Sequence, residues 1–368
     1  MAESGNRLTV GVVAESRSGE RRVAMVPKLV ARLAQRGLRV VVEPGAGAGA
    51  QLADDAYVQA GAELGDAWAA DVVLKVAPPS ENEVGKLKPG TVLIGFLDPR
   101  GAPEGIEALE RAGIRAFAVE AVPRISRAQA MDALSSQSSV SGYRAVLLAA
   151  EKFTRFFPML TTAAGTVPPA KVLVLGAGVA GLQALATAKR LGAQTTGYDV
   201  RPEVGEQVRS IGAKFLDLGI EAAGEGGYAR ELTAEERAEQ QRRLTEAITK
   251  FDVVITTALV PGRKAPTLVT ADAVKGMPAG GVVLDLAGES GGNCELSRPG
   301  EDVVEHDVTI SAPLNVPSGM PTHASELYAR NVTELLELLV TAEGELKLDF
   351  SDEVVAGANV AGREGSAS

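Results

Sequence analysis

The stretch KVLVLGAGVAGLQALATAKRLG (171–192) constrains this chain more than any other. KVLVL reads as a short buried strand, and LQALATAKRLG as a helix. Between them stands Gly176-Ala177-Gly178-Val179-Ala180-Gly181. The first glycine permits a tight turn, the second lets a pyrophosphate approach the backbone, and the third lets helix and strand pack closely. A phosphate then sits at the helix N-terminus, where free N–H groups and the helix dipole favour an anion. The acid that such a site needs about 20 residues on is present as Asp199, in GYDVRP. A glycine-rich helix entry without a ligand could carry the same six residues. Strand, turn, helix and acid in one register point instead to a bound dinucleotide. Asp199 should repel a 2′-phosphate, which favours NAD(H) over NADP(H). Arg201 is the counter-feature, since an arginine there could accept that phosphate, but Asp199 holds the strand end.

Around this unit, strand-like and helix-like runs alternate. Apolar runs fall at 7–15, 38–45, 71–79, 90–98 and 114–122, and again at 194–200, 213–218, 252–259, 281–288 and 307–313. Helical patterns such as PKLVARLAQRG (27–37) and PEGIEALERAG (103–113) fill the gaps. This alternation predicts an α/β fold of two Rossmann-like, doubly wound domains with parallel sheets covered on both faces. Two long helices, over 131–157 and 325–340, should join them. The expected division is a discontinuous first domain, 1–137 plus 315–368, and an inserted dinucleotide domain, 138–314. The tail GANVAGREGSAS is small and polar, and reads as disordered.

At 45% hydrophobic and 23% charged residues, the composition is that of a soluble globular protein. A net charge of −10 argues against nucleic acid as a partner. A single cysteine, Cys294, allows no internal disulfide. The uncharged run 172–188 is interrupted by the three glycines and reads as strand–turn–helix, not a membrane span. No basic-then-apolar leader opens the sequence. Any membrane association is therefore expected to come through a partner.

The segment RISRAQAMDALSSQSS (124–139) is unusually polar for the start of a long helix. On an α-helix Gln129, Asp132 and Ser136 would share one face, with Ser135 on its flank. One reading is a capping box, with Ser126 as N-cap and Gln129 three residues later. The other is a cluster that hydrogen-bonds a nicotinamide and its ribose. Absences matter as well. The two histidines, His306 and His323, both follow the fingerprint. A dehydrogenase of alcohols, amines or hydroxy acids must move a proton with the hydride, yet residues 1–137 offer Lys75 and no histidine. Transfer between two nicotinamides moves only the hydride and needs positioning. No Cys/His cluster suggests a metal, and no GxSxG-type nucleophile is present.

Taken together, ERRVAMVP (20–27), RISRAQAMDALSSQSSVSGYRAV (124–146), the 171–193 stretch, GYDVRPEVGEQVRSIGAKF (197–215) and TTALVPGRKAP (256–266) resemble domain I of the proton-translocating NAD(P) transhydrogenases. The wider superfamily includes the alanine dehydrogenases. The resemblance implies a homodimer that binds NAD(H) in an inter-domain cleft. It implies NADP(H) held by a partner, the NADP-binding domain of the beta subunit, and separate membrane-spanning subunits that translocate protons. The chain would then be cytoplasmic, peripheral on the inner face of the membrane. On matching positions it implies that Arg124, Gln129, Asp132 and Ser135 hold the nicotinamide end, with Gln129 and Asp132 nearest the chemistry. Gly176, Gly178, Val179, Gly181, Asp199, Val200, Arg201 and Leu259 would line the rest. It favours the nicotinamide reading of 124–139 over the capping box. A mobile loop carrying a tyrosine in that family is similar to EAAGEGGYARE (221–231), with Gly227 and Tyr228. From residues alone, 217–231 reads rather as an ordinary surface loop, followed by a capping box at Thr233 and Glu236. Where alanine dehydrogenases place a catalytic histidine, Asp98 stands here. The competing functions are an amino-acid dehydrogenase and a non-catalytic NAD-binding module.

Overall fold

Valine-rich strands that are apolar on both faces must be covered twice, and parallel pairing with helical crossovers does this. The structure is a computed structural model, describing residues 7–201, 203–219, 233–259 and 264–363. Two compact units divide the chain, residues 1–137 with 317–368 and residues 138–316.

In the first unit the strands are β1 (Thr9–Val12), β2 (Arg39–Val42), β3 (Glu63–Leu64), β4 (Val72–Leu74), β5 (Val92–Gly95) and β6 (Arg115–Ala118). In the second they are β7 (Leu160–Thr162), β8 (Gly165–Val167), β9 (Lys171–Leu175), β10 (Gln194–Tyr198), β11 (Lys214–Phe215), β12 (Val253–Thr256), β13 (Val282–Asp285), β14 (Asp302–Glu305) and β15 (Val308–Ser311). The last strand, β16 (Asn359–Ala361), returns to the first unit.

The two large sheets have the orders β16-β6-β5-β4-β1-β2-β3 and β11-β10-β9-β12-β13-β15-β14. Both are parallel apart from one antiparallel edge strand each, β16 beside β6 and β14 beside β15. These edges carry no crossover helix, so the sequence alternation does not announce them. β7 and β8 form a separate exposed ribbon.

The expectation of a disordered tail fails over residues 357–363. Val354, Val355 and Ala358 are buried, and Asn359 donates from Nδ2 to the Ala116 carbonyl at 3.2 Å. Small residues suit this edge, because the chain lies close against β6. The first long helix spans Ala133–Lys152, five residues short of the expected end. Phe153 and Phe157 leave it and pack edge to face, with centroids 5.9 Å apart. The second spans Pro321–Leu338, with proline in its first turn and Tyr328, Val332, Leu335 and Leu336 buried.

Each sheet reverses its winding once, between β1 and β4 and between β9 and β12. In α/β sheets the carboxyl ends of the strands at such a reversal are where ligands bind. At the first unit's reversal the chain places its own charges. Lys75 follows β4 and is 1% exposed. Its Nζ lies 3.1 Å from Glu15 Oε2, beyond β1, and 3.2 Å from Glu83 Oε1. Glu15 also accepts from the Val76 and Ala77 N–H groups, and Glu83 from Ser16 and Ser80. Tyr328 donates its hydroxyl to the Lys75 carbonyl at 2.7 Å. Burial pushes the Glu15 carboxyl up despite Lys75. Burial acts on Glu83 in the same sense, but its hydrogen bonds and Lys75 outweigh it and hold that carboxyl low.

Lys75→Met should therefore cost about 3–5 kcal/mol, because two carboxylates lose their buried cation. Without the lysine, the Glu15 carboxyl, already raised by burial, titrates further above its unfolded value in the folded state. The variant's stability is then fullest below the unfolded carboxylate range and is lost as pH rises through the raised value. The penalty should be largest near neutral pH and shrink in acid. Urea unfolding followed by Trp68, the single tryptophan and 5.6 Å from Lys75 Nζ, measures it. Unchanged stability at all pH values would show that the cluster does not hold the sheet.

Candidate functional site

The glycine fingerprint lies at the second unit's reversal, directly after β9. Gly176 has φ +94°, which a side chain rarely tolerates. A Cβ on Gly181 would stand 1.8 Å from the Gly176 carbonyl oxygen, so only glycine lets the helix Val179–Arg190 start this close to the strand. A Cβ on Gly178 would meet nothing within 4 Å. The backbone there faces open space, and no side chain caps the helix N-terminus. An anionic group therefore has both room and unclaimed donors, which fits a pyrophosphate.

Three apolar side chains stand exposed just beyond three adjacent strands: Val179 after β9, Val200 after β10 and Leu259 after β12, at 43%, 57% and 55%. Exposed aliphatic groups around a polar anion cradle suit the flat faces of a nucleotide.

Asp199 ends β10, its side chain 6% exposed. It accepts from the Ala177 N–H at 2.9 Å, tying the strand end to the glycine turn. Arg201 engages it twice, from Nε at 3.0 Å and Nη2 at 3.1 Å, and also through its own N–H. Burial alone would raise the Asp199 carboxyl. The bonds from Arg201 and the two N–H groups outweigh burial and hold it below the ordinary carboxylate range. The rivalry between Asp199 and Arg201 seen in the sequence is thus a direct ion pair.

In the first unit, residues Ser126–Met131 form a 3-10 helix, and the α-helix begins only at Ala133. The proposed cap by Ser126 is not formed, since the residue before the 3-10 helix is Ile125 and no side chain caps it. Asp132 caps instead, accepting from the Ser135 N–H at 2.9 Å and hydroxyl at 2.6 Å. The single α-helical face expected for Gln129, Asp132 and Ser136 is interrupted, because Asp132 leaves the helical conformation at ψ 84° between the 3-10 helix and the α-helix. Ser136 is occupied with Asn331, at 2.7 Å. Arg127 pairs with Asp352. The side chains of Arg124 and Gln129 are exposed and make no hydrogen bond or ion pair among the described residues. The segment therefore splits into a mutually bonded pair, Asp132 with Ser135, and two side chains without a partner among the described residues. Gly227 and Tyr228, with residues 220–231 of the candidate lid, lie outside the described residues. The capping box after it is present, with Thr233 accepting from the Glu236 N–H and Glu236 from the Thr233 N–H.

His306 is exposed in the β14–β15 turn, before β15 and so at the opposite end from the fingerprint. His323 is exposed in the first turn of the Pro321–Leu338 helix. Asp98, with φ +50°, follows β5 beside Glu120, whose Oε1 accepts the Leu97 and Asp98 N–H groups. Glu120 Oε2 is buried without a partner, and burial raises this carboxyl. No group of three or more metal-ligating side chains occurs among the described residues, and none of their helices is long and apolar enough to cross a membrane.

Sequence reasoning missed Thr257, Asp285 and Asn293. Thr257 donates its hydroxyl to the Gly176 carbonyl at 2.8 Å. The one signal for the others is an acid ending the apolar run GVVLD.

Comparison with known proteins agrees with this architecture. Residues 11–141 match the family "Alanine dehydrogenase/PNT, N-terminal domain", and 145–366 match "Alanine dehydrogenase/PNT, C-terminal domain". The chain is 47% identical over 365 residues to an NAD(P) transhydrogenase alpha-subunit chain of Rhodospirillum rubrum, covering 95% of each. The crystal structure of transhydrogenase from Sinorhizobium meliloti superposes with a TM-score of 0.88 at 46% identity, over 96% of this chain and 98% of that one. An L-alanine dehydrogenase structure superposes with a TM-score of 0.79 at 27% identity, over 96% and 94%. Fold, fingerprint and these likenesses converge: the chain belongs to the alanine dehydrogenase/PNT family and, within it, to the NAD(P) transhydrogenase alpha subunits.

Proposed function

We propose that this chain binds NAD(H) in its second unit and passes hydride directly to or from NADP(H) held by the beta subunit's NADP-binding domain. It does so as a homodimer on the cytoplasmic face of the membrane, attached through separate membrane-spanning subunits that translocate the protons. The observation that carries this reading is the pairing of a complete dinucleotide cradle with a Lys75 that is already committed to Glu15 and Glu83. A lysine so held is a structural cation and a poor proton shuttle. Hydride exchange between two nicotinamides needs none. Bound NAD(H) would supply the hydride-carrying ring. The glycine turn and the Val179–Arg190 helix would hold its pyrophosphate, and Asp199 its adenosine ribose. Arg124 and Gln129, with unclaimed polar heads, and Asp132 with Ser135, would orient the nicotinamide end. Gly227 and Tyr228 would contribute to cofactor binding. For the ribose to reach Asp199 fully, Arg201 must yield part of its double contact.

If positioning is the task, Asp132→Asn and Gln129→Asn should slow single-turnover transfer from NADH to NADP⁺ at least about tenfold, with NADH affinity changed less than about threefold. The assay is rapid mixing with the NADP-binding partner domain. Parent-like transfer in both variants would reduce the segment to a helix start. Robust reduction of NAD⁺ with L-alanine by the chain alone would overturn the reading in favour of an amino-acid dehydrogenase.

The Asp199–Arg201 pair gives a separate expectation. Asp199→Ser removes the ribose acceptor and frees the guanidinium for a 2′-phosphate. NADH affinity should fall about tenfold while NADPH affinity rises severalfold, as a charge-assisted bond is lost from one and gained by the other. Calorimetric titration with both nucleotides decides it. Equal losses for both would mean that Asp199 does not select the cofactor.

A further inference from the structure

We infer that Asn293, held by Asp285, is a positioning residue for the nicotinamide half of the dinucleotide, an inference that rests on the NAD(H) reading of the second unit. Asp285 ends β13 with no exposed surface. Among the described residues no cation pairs with it. Five neutral donors do: the Thr256 hydroxyl (2.8 Å), the Ala287 N–H (2.9 Å), the Asn293 N–H (2.8 Å), the Cys294 N–H (3.0 Å) and the Ser297 hydroxyl (2.6 Å). This fixes the backbone at Asn293, which is itself fully buried.

The Asn293 side chain then reaches across to the chain leaving β12. Its Oδ1 accepts the Ala258 N–H at 3.1 Å, and its Nδ2 donates to the Ala258 carbonyl at 2.9 Å and the Pro266 carbonyl at 2.8 Å. The amide thus completes three hydrogen bonds and grips the backbone on both sides of residues 259–265. Its own carbonyl accepts the Leu268 and Val269 N–H groups. One residue before Ala258, Thr257 holds the Gly176 carbonyl. One residue after, Leu259 stands 55% exposed. A continuous set of bonds therefore runs from a buried carboxylate, through one amide, to the segment 257–259 and the glycine turn.

Topology says which part of the nucleotide this segment serves. A doubly wound domain binds one mononucleotide on each side of its reversal. Asp199, after β10, marks the adenosine side. β12 and β13 lie across the reversal from it, on the side left for the nicotinamide mononucleotide. Asn293 does not touch the ligand in this scheme; it sets the backbone that does.

The test separates the two halves of the ligand. Asn293→Ala should weaken NADH about tenfold in calorimetric titration, as loss of buried hydrogen bonds to a binding segment does. AMP, which reports only the adenosine side, should bind within about twofold of the parent. A general loosening of the unit would weaken both. Thr257→Val removes a single hydroxyl from the same segment, and should show the same split even where Asn293→Ala fails to fold. Faster hydrogen exchange at the Ala258 amide in Asn293→Ala is also expected. Unchanged NADH affinity in folded variants, or equal losses for NADH and AMP, would overturn the inference. A parent chain that binds neither nucleotide would overturn the NAD(H) reading itself, and this inference with it.

Discussion

The distance between β9 and the helix that follows it depends on a missing side chain. Any Cβ at Gly181 would overlap the Gly176 carbonyl, so the helix could not start over the strand end. That carbonyl is also the acceptor for Thr257, which brings the neighbouring strand's exit into the same contact. A second such approach lies behind it. Gly142, on the helix Ala133–Lys152, would place a Cβ 2.1 Å from the Ala180 carbonyl, so this helix packs directly on the first turn after the fingerprint. The helix start is thus pinned from two sides while its open face, at Gly178, stays free. Asp199, Val200 and Leu259 derive their positions from that arrangement.

Each unit stabilises the reversal of its sheet by burying charge, in different ways. In the first, an ammonium is shared by two carboxylates whose remaining lone pairs are taken by backbone and hydroxyl donors. Such a cluster is costly to break, because each member left alone is a desolvated ion. In the second, a carboxylate is solvated by five dipoles, with no counter-ion among the described residues. Neutral donors compensate a buried charge only when many converge, and convergence demands a unique local backbone. This explains how a structural acid can also be a precise anchor for a loop.

The chemistry assigned to the chain asks little of acid–base groups and much of orientation. Direct hydride transfer depends on the approach of two carbons, and a fraction of an ångström matters. The structure is consistent with that demand in the way it spends polar groups. Asp132 and Ser135 satisfy one another at the helix start, whereas Arg124 and Gln129 are left with unclaimed heads. A segment built only to cap a helix would not need to expose them.

The fold class, the glycine turn and the acid at Asp199 were legible in the residues, because each is a local requirement. Strand and helix periodicity need only neighbours in sequence, and a pyrophosphate cradle needs only strand, turn and helix in order. The helix at Thr233 was legible for the same reason, as its capping box is four residues long. The start of the helix after Asp132 was not: a 3-10 turn and an α-turn carry similar local patterns, and the choice between them was made by packing and by the cap. The ordered tail was hidden because its small residues are favoured only once β6 offers an edge. Nor could the sequence say that Lys75 would be sealed between Glu15 and Glu83, or that Asn293 would grip Ala258 and Pro266. Those partners are distant in sequence, and nothing in local propensity encodes which side chains meet when two strands lie side by side. The residues by themselves determined what kind of ligand this chain is built to hold; the tertiary structure alone decided which of its polar groups are consumed in holding the fold and which are left for that ligand, because a buried polar group must find its partners wherever the packed chain supplies them.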